Sequence, residues 1–314
     1  MFYRLLKVYA RFAIWIYCRR IIINKPELLK AKGPLLLAAN HPNSFLDGVI
    51  LTTLFDERVY SLARGDVFKK KWIDNLLRSL QLLPIYRTSE GSENLEQNYT
   101  TFAACRKTFE QGGIVLIFSE GRCENEWHLR PLKKGTARLA ITSWQQSIPL
   151  KVIPTAFNYS SFKKFGKEMH LFFGEEIGSN SVLQEETEGK RLLAFNENLE
   201  HQLKQLVYEI HPEDRMRVKK IFPIKRTASF YFLLVPAICG WLLHAPLFYL
   251  AKTIASRFKN SGHYDSVLHG LLILSYPVYL LLIFIISWFI HPAYSFLSVF
   301  ILPFTAWSAV QVGL

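Results

Sequence analysis

The spacing of apolar positions divides this chain into three stretches. Over residues 2–23 they recur at helical spacing. Leu5, Leu6, Val8, Phe12, Trp15 and Ile16 dominate the surface, and Arg4, Lys7 and Arg11 fall together on one face. This predicts a basic, aromatic-rich amphipathic helix lying in a membrane interface, ended by Lys25-Pro26. Next come short continuous apolar runs that read as strands: Leu35–Ala39, Val59–Ala63, Leu82–Tyr86, Ile114–Phe118 and Leu150–Phe157. Helical patterns separate them. The clearest runs from about Asn94 to Glu110 and stops at Gly112-Gly113; another starts at Gly135-Thr136 and continues through Trp144. A further helix is expected within Gly65–Leu83, and a polar one over Lys190–Ile210. Strands alternating with helices predict an α/β domain with a mainly parallel central sheet covered by helices.

Beyond a basic linker, Arg215–Arg226, the composition changes. Ala228–Leu250, Leu268–Ile290 and Ala293–Leu314 are mostly apolar, and each exceeds 20 residues. At 1.5 Å per residue each is long enough for a hydrocarbon core of about 30 Å. His244-Ala-Pro246 and Pro277 interrupt two of them, so transmembrane or re-entrant helices are both expected forms. Basic residues flank the first segment on both sides, Lys219, Lys220, Lys225 and Arg226 before it and Lys252, Arg257 and Lys259 after it. A hairpin with both basic loops in the cytoplasm satisfies that pattern. The expected organisation is an interfacial helix over 1–24, an α/β domain over 25–227 and a membrane region over 228–314.

Composition sharpens this picture. The net charge of +13 calls for anionic partners. The basic residues flank apolar segments, and no zinc-finger or RNA-binding signature is present, so lipid surfaces or acidic substrates are favoured over nucleic acid. The four cysteines, Cys18, Cys105, Cys123 and Cys239, form no CxxC pair, which argues against a zinc site or disulfide framework. There is no Gly-x-Ser-x-Gly elbow, P-loop or GxGxxG run, so an α/β-hydrolase and nucleotide cofactors are not implied.

The candidate chemistry begins with Asn40-His41-Pro-Asn-Ser-Phe-Leu-Asp47, directly after the first strand. A histidine oriented by a carboxylate is a general base that can deprotonate a hydroxyl. The His–Asp spacing does not put both residues on one face of a regular helix. His41 is therefore expected in the strand-to-helix loop, with Pro42 and Asn43 absorbing the extra length before the helix that carries Asp47. A second apolar strand ends in Phe118-Ser119-Glu120-Gly121-Arg122. Arg87, Arg122 and Lys134 are candidates for binding a phosphate, with Gly135-Thr136 offering backbone N–H groups at a helix start. Glu120 is a candidate to hold a hydroxyl or to organise the arginines.

Four blocks in this order resemble the PlsC-type glycerolipid acyltransferases. They are His41 to Asp47, Leu82-Leu-Pro-Ile-Tyr-Arg87, Phe118-Ser119-Glu120-Gly121 and Val152-Ile153-Pro154. Five residues separate His41 from Asp47, as in the subgroup with an extended first motif. The third block departs from the family's Phe-Pro-Glu-Gly-Thr-Arg-Ser: Ser119 replaces the proline and Arg122 comes one place early. The resemblance implies the glycerol-phosphate acyltransferase fold. It also implies transfer of a fatty acyl group from acyl-CoA or acyl carrier protein to a hydroxyl of glycerol 3-phosphate or 1-acylglycerol 3-phosphate. His41 and Asp47 would be catalytic. Arg87, Glu120, Gly121, Arg122, Lys134, Gly135 and Thr136 would bind substrate, with no metal or bound cofactor. Membrane lipids would be partners, and the catalytic domain would face the cytoplasm. Rival readings are an acyltransferase for another lysolipid or an acyl-amino-acid lipid, and a non-catalytic membrane lipid-binding protein.

Overall fold

A computed structural model describes residues 2–86, 97–224 and 228–314. The elements in chain order are α1 (Phe2–Tyr17), β1 (Cys18–Ile23), β2 (Leu35–Ala39), α2 (Phe45–Leu54), β3 (Val59–Arg64), α3 (Lys71–Ser79), β4 (Leu82–Ile85), α4 (Gln97–Glu110), β5 (Ile114–Phe118), α5 (Lys134–Gln145), β6 (Lys151–Tyr159) and β7 (Lys167–Phe173). Then come α6 (Asn180–Leu183), α7 (Glu188–Leu206), α8 (Arg215–Ile221), α9 (Ala228–Phe232), α10 (Leu234–Ala255), α11 (Tyr264–Ile290) and α12 (Pro292–Val312).

The seven strands form one sheet in the order β1-β7-β6-β2-β5-β3-β4. β2 lies parallel to both β5 and β6, with Leu35 beside Ile114 and Lys151 and Ala39 beside Phe118 and Thr155. β3 lies parallel to β5 and β4. The expected mainly parallel α/β sheet is therefore present. All five residues of β2 are buried, which is why this strand reads as an unbroken apolar run. Leu36 and Ala38 share one face of the sheet with Val115, Ile117, Val152 and Ala156, packed on Phe109 of α4, Leu139 and Trp144 of α5 and Phe195 of α7. Leu35, Leu37 and Leu116, one residue out of step, face the other way and are buried too. Right-handed crossovers place α2 on that second face, where Leu46, Ile50 and Leu51 are fully buried. Because the strands run parallel, the segments after β2, β3 and β5 all emerge on one edge of the sheet.

The chain divides into two compact units. One comprises residues 1–7, 22–158 and 170–211; the other comprises 8–21, 159–169 and 212–314. Most of α1 and the β6–β7 turn group with the C-terminal helices. In that second unit Trp15 of α1 stacks on Trp307 of α12 at 5.1 Å, and the Tyr9 hydroxyl donates to the Ile273 carbonyl of α11. The first helix is thus partly packed on its own chain, though Val8 and Trp15 keep exposed surface.

Two local expectations are corrected. The helix predicted over 2–23 ends at Tyr17, and Cys18–Ile23 is a strand, where Ile21, Ile22 and Ile23 supply β-branched bulk. The helix expected within Gly65–Leu83 is α3, preceded by a 3-10 turn (Gly65–Phe68) and followed by β4. Pro246 and Pro277 do not break their helices: α10 and α11 run through them, as α12 runs through Pro303. Three helical stretches, Leu234–Phe258, Tyr264–Ile290 and Ser295–Val312, are long and apolar enough to cross a membrane.

Candidate active site

The site is built where β2 and β5 end side by side. The Ala39 carbonyl accepts from the Ser119 backbone N–H at 2.8 Å, carrying the sheet register one residue past the end of β5. Asn40 ties the next position to β6: its amide nitrogen donates to the Phe157 carbonyl at 3.1 Å, and its oxygen accepts from the Phe157 N–H at 2.8 Å. His41 follows in the loop.

His41 Nδ1 lies 2.9 Å from Asp47 Oδ2. The same carboxylate oxygen accepts the Asn43 backbone N–H at 2.8 Å. Asp47 sits in the first turn of α2 and is fully buried. A carboxylate there is favoured by the positive end of the helix dipole. The extra residue between the two is absorbed at Ser44 rather than at Pro42 or Asn43. Ser44 has φ 54° and ψ −146°, a backbone region usually reserved for glycine, costing about 1–3 kcal/mol. The Cys123 sulfur accepts the Ser44 N–H at 2.8 Å and Asp47 anchors Asn43, so the strained turn is held from both ends.

Phe118, the last residue of β5, stacks on the His41 imidazole with ring centres 3.7 Å apart and planes 15° from parallel. Glu120 is buried and bridges two loops. Its Oε2 accepts the His41 backbone N–H at 3.0 Å and its Oε1 accepts the Arg130 backbone N–H at 3.1 Å. Burial pushes its carboxyl up to about 7, against the lowering effect of those two backbone N–H groups. Gly121 makes the tight turn after it, with φ +72°, and a Cβ there would press on the Lys133 side chain at 3.0 Å. Burial, with the charge of Asp47, keeps the Cys123 thiol well above its ordinary range, away from a reactive thiolate.

α5 begins beside the same turn. The Lys133 N–H donates to the Ser119 carbonyl at 2.7 Å, and the Thr136 hydroxyl donates to the Ser119 hydroxyl at 3.0 Å. Gly135 and Lys134 lie in the first turn of α5, with the Lys134 side chain exposed. Arg122 is exposed and pairs with Glu124 at 3.5 Å. Arg87 lies outside the described residues. The structure thus gathers His41, Asp47, Glu120, Gly121 and Thr136 around one sheet edge. Sequence reasoning missed Phe118, Asn40, Cys123 and Arg130. Of these, Asn40 and Phe118 stand in the quoted motifs without an assigned role and Cys123 follows one, while Arg130 contributes through its backbone and left no signal.

A histidine whose Nδ1 is held by a buried carboxylate offers Nε2 as the proton acceptor. A base of this kind, at the open end of a parallel sheet, is chemically able to activate a hydroxyl. The stretch that carries it, residues 20–158, matches the model of the Acyltransferase family. Among its relatives is the 1-acyl-sn-glycerol-3-phosphate acyltransferase of Bacillus subtilis (strain 168), 26% identical over 186 residues, which span 59% of this chain and 86% of that protein. The crystal structure of the 1-acyl-sn-glycerophosphate acyltransferase PlsC from Thermotoga maritima superposes with a TM-score of 0.46 at 11% identity. It covers 70% of this chain and 79% of the other.

Proposed function

We infer that this protein transfers a fatty acyl group from an acyl thioester to a hydroxyl of a glycerol-phosphate lipid precursor, glycerol 3-phosphate or 1-acylglycerol 3-phosphate, at a membrane. The observation that carries the reading is the His41–Asp47 pair held at 2.9 Å on the edge of the sheet, within the acyltransferase segment. The relative's named activity and the three apolar helices support it.

The chemistry follows from the geometry. His41 Nε2 takes the acceptor hydroxyl proton as that oxygen attacks the thioester carbonyl. The buried Asp47 stabilises the imidazolium that forms and holds its tautomer. When the tetrahedral intermediate collapses, the carbon–sulfur bond breaks and the imidazolium returns its proton to the departing thiolate. No serine or cysteine nucleophile enters the sequence of steps, and no bound cofactor is required. Acceptor phosphate is assigned to Arg87, Arg122 and the start of α5 at Lys134, Gly135 and Thr136. The acyl donor is acyl-CoA or acyl carrier protein, and the catalytic unit faces the cytoplasm.

The test is to supply the purified protein with labelled acyl-CoA or acyl carrier protein and a panel of acceptors, then identify the acylated product. Glycerol 3-phosphate or its 1-acyl form should be acylated. His41→Ala should lower turnover by about 10² to 10⁴, the usual contribution of a positioned base. Near-normal turnover in a folded His41→Ala variant, or acylation of phosphate-free acceptors alone, would overturn the reading.

A further inference from the structure

α3 is an amphipathic helix whose apolar arc is only partly covered. Trp72, Ile73, Leu76 and Leu77, with Leu80 just past its end, fall on one arc, and Lys71, Asp74, Asn75, Arg78 and Ser79 on the other. In a globular domain such an apolar arc is the part that packs inward. Here no residue of α3 is buried, and Trp72 is 65% exposed and Leu76 41% exposed. In the 3-10 turn before it, Phe68 is buried while its neighbour Val67 is 46% exposed. Three consecutive lysines, Lys69, Lys70 and Lys71, join the two pieces, and all three are exposed. The turn and α3 follow β3, on the sheet edge from which the His41 and Glu120 loops emerge. Phe45, two residues before the catalytic carboxylate, is a further exposed apolar side chain on that edge.

We propose that this patch, Val67, Trp72 and Leu76 with Lys69, Lys70 and Lys71, is a docking surface for an anionic lipid bilayer, holding the catalytic edge of the sheet against the membrane. Exposed apolar side chains gathered on one face are not left to water without a partner. A tryptophan and a leucine beside a run of lysines have the composition of a segment seated at the headgroup boundary. The ring and aliphatic chain enter the acyl region and the ammonium groups meet lipid phosphates. The lysines decide against an apolar protein partner, since they would be desolvated without counter-charge, whereas an anionic surface supplies it. Each lysine near such a surface changes partitioning by about fivefold. A lipid acceptor could then reach His41 from the bilayer itself.

The proposal rests on the acyl-transfer reading only for its kinetic consequence, so two measurements separate them. Full-length protein in a Cys239→Ser background carries Leu76→Cys or, as control, Leu193→Cys, another exposed position. Each is labelled with an environment-sensitive fluorophore and reconstituted in phosphatidylcholine nanodiscs with and without phosphatidylglycerol. The probe at 76 should shift to the blue and be quenched by spin-labelled lipid when phosphatidylglycerol is present, while the probe at 193 should not. A probe at 76 that stays water-like in both discs overturns the proposal. A blue shift that persists in detergent and grows with protein concentration also overturns it, by assigning the patch to a second copy of the chain. In the kinetic arm, Trp72→Glu should slow acylation of a bilayer-embedded acceptor at least about fivefold relative to a short-chain, water-soluble one. Equal slowing of both acceptors counts against the proposal. Loss of activity in the parent protein would strike the acyl-transfer reading and leave the quenching result standing.

Discussion

At the residue scale, Glu120 and Phe118 both hold His41, one through its backbone N–H and the other by ring stacking. Both Glu120 oxygens are engaged by backbone N–H groups, one of them belonging to His41 itself. Glu120→Gln keeps the shape but turns one acceptor into an NH₂ facing an N–H donor. On the proposed mechanism the change displaces His41 and leaves the basic groups assigned to the acceptor phosphate in place. Turnover should therefore fall while the KM for acceptor changes little; steady-state kinetics on both substrates checks this. The same residue sets a pH dependence. Its carboxyl sits at about 7 in the fold against an ordinary 4.5, so the folded state holds the proton more tightly than the unfolded one. The stabilisation is complete below pH 4.5 and is lost as pH rises through 7, amounting to about 3 kcal/mol. Glu120→Gln lacks that loss. Its melting temperature relative to wild type should rise between pH 4.5 and pH 7 in matched detergent scans. Phe118 presents its face to the His41 imidazole, and if that ring becomes cationic as proposed the interaction is worth about 0.5–2 kcal/mol. Phe118→Leu should lower kcat roughly fivefold, and Phe118→Tyr should retain most of it.

At the element scale, the second unit is keyed by charges with no access to water. Lys167 of β7 and Asp265, in the first turn of α11, form a salt bridge whose side chains are both fully buried. The Tyr17 hydroxyl of α1 donates to the same Asp265 oxygen, and the Lys167 ammonium lies 5.4 and 5.5 Å from the Tyr17 and Tyr159 ring centres. His269, one turn along α11, packs its ring 4.5 Å from that of Tyr17. A buried pair contributes little net stability, but removing one partner strands a charge and costs about 3–5 kcal/mol. Lys167→Met should therefore melt far lower than wild type in detergent, and Lys167→Met with Asp265→Leu should recover much of the loss. Equal destabilisation of the single and double variants would show that the pair does more than compensate its own burial.

At the scale of the whole molecule, the apolar helices and the start of the chain fold together. Full-length protein should remain in the membrane fraction through a high-salt wash, since three helices are of spanning length. A chain ending near residue 226 loses Asp265 and Trp307, the partners of Lys167, Tyr17 and Trp15. It should aggregate rather than behave as an independent catalytic domain, which size-exclusion chromatography of the purified fragment would report.

What can be read along the chain is whatever a short stretch declares by itself. β2 and β5 stand out as Leu35–Ala39 and Ile114–Phe118 because strands buried on both faces must be apolar throughout. The His41–Asp47 motif is legible because its partners lie six residues apart in one loop and helix turn, and the spans because a bilayer core demands long apolar runs. Tertiary structure decides the rest. Whether Glu120 meets substrate or backbone depends on where residues 41 and 130 come to lie, and no local pattern carries that. Cys18–Ile23 reads as part of the preceding helix because its apolar run is equally compatible with helix and strand; the neighbouring β7 resolves it. Lys167 and Asp265 look like ordinary charges in the sequence, and only burial beside one another, 98 positions apart in the chain, makes them a pair. Local patterning specifies which elements form, and long-range packing specifies which of their polar groups are desolvated together.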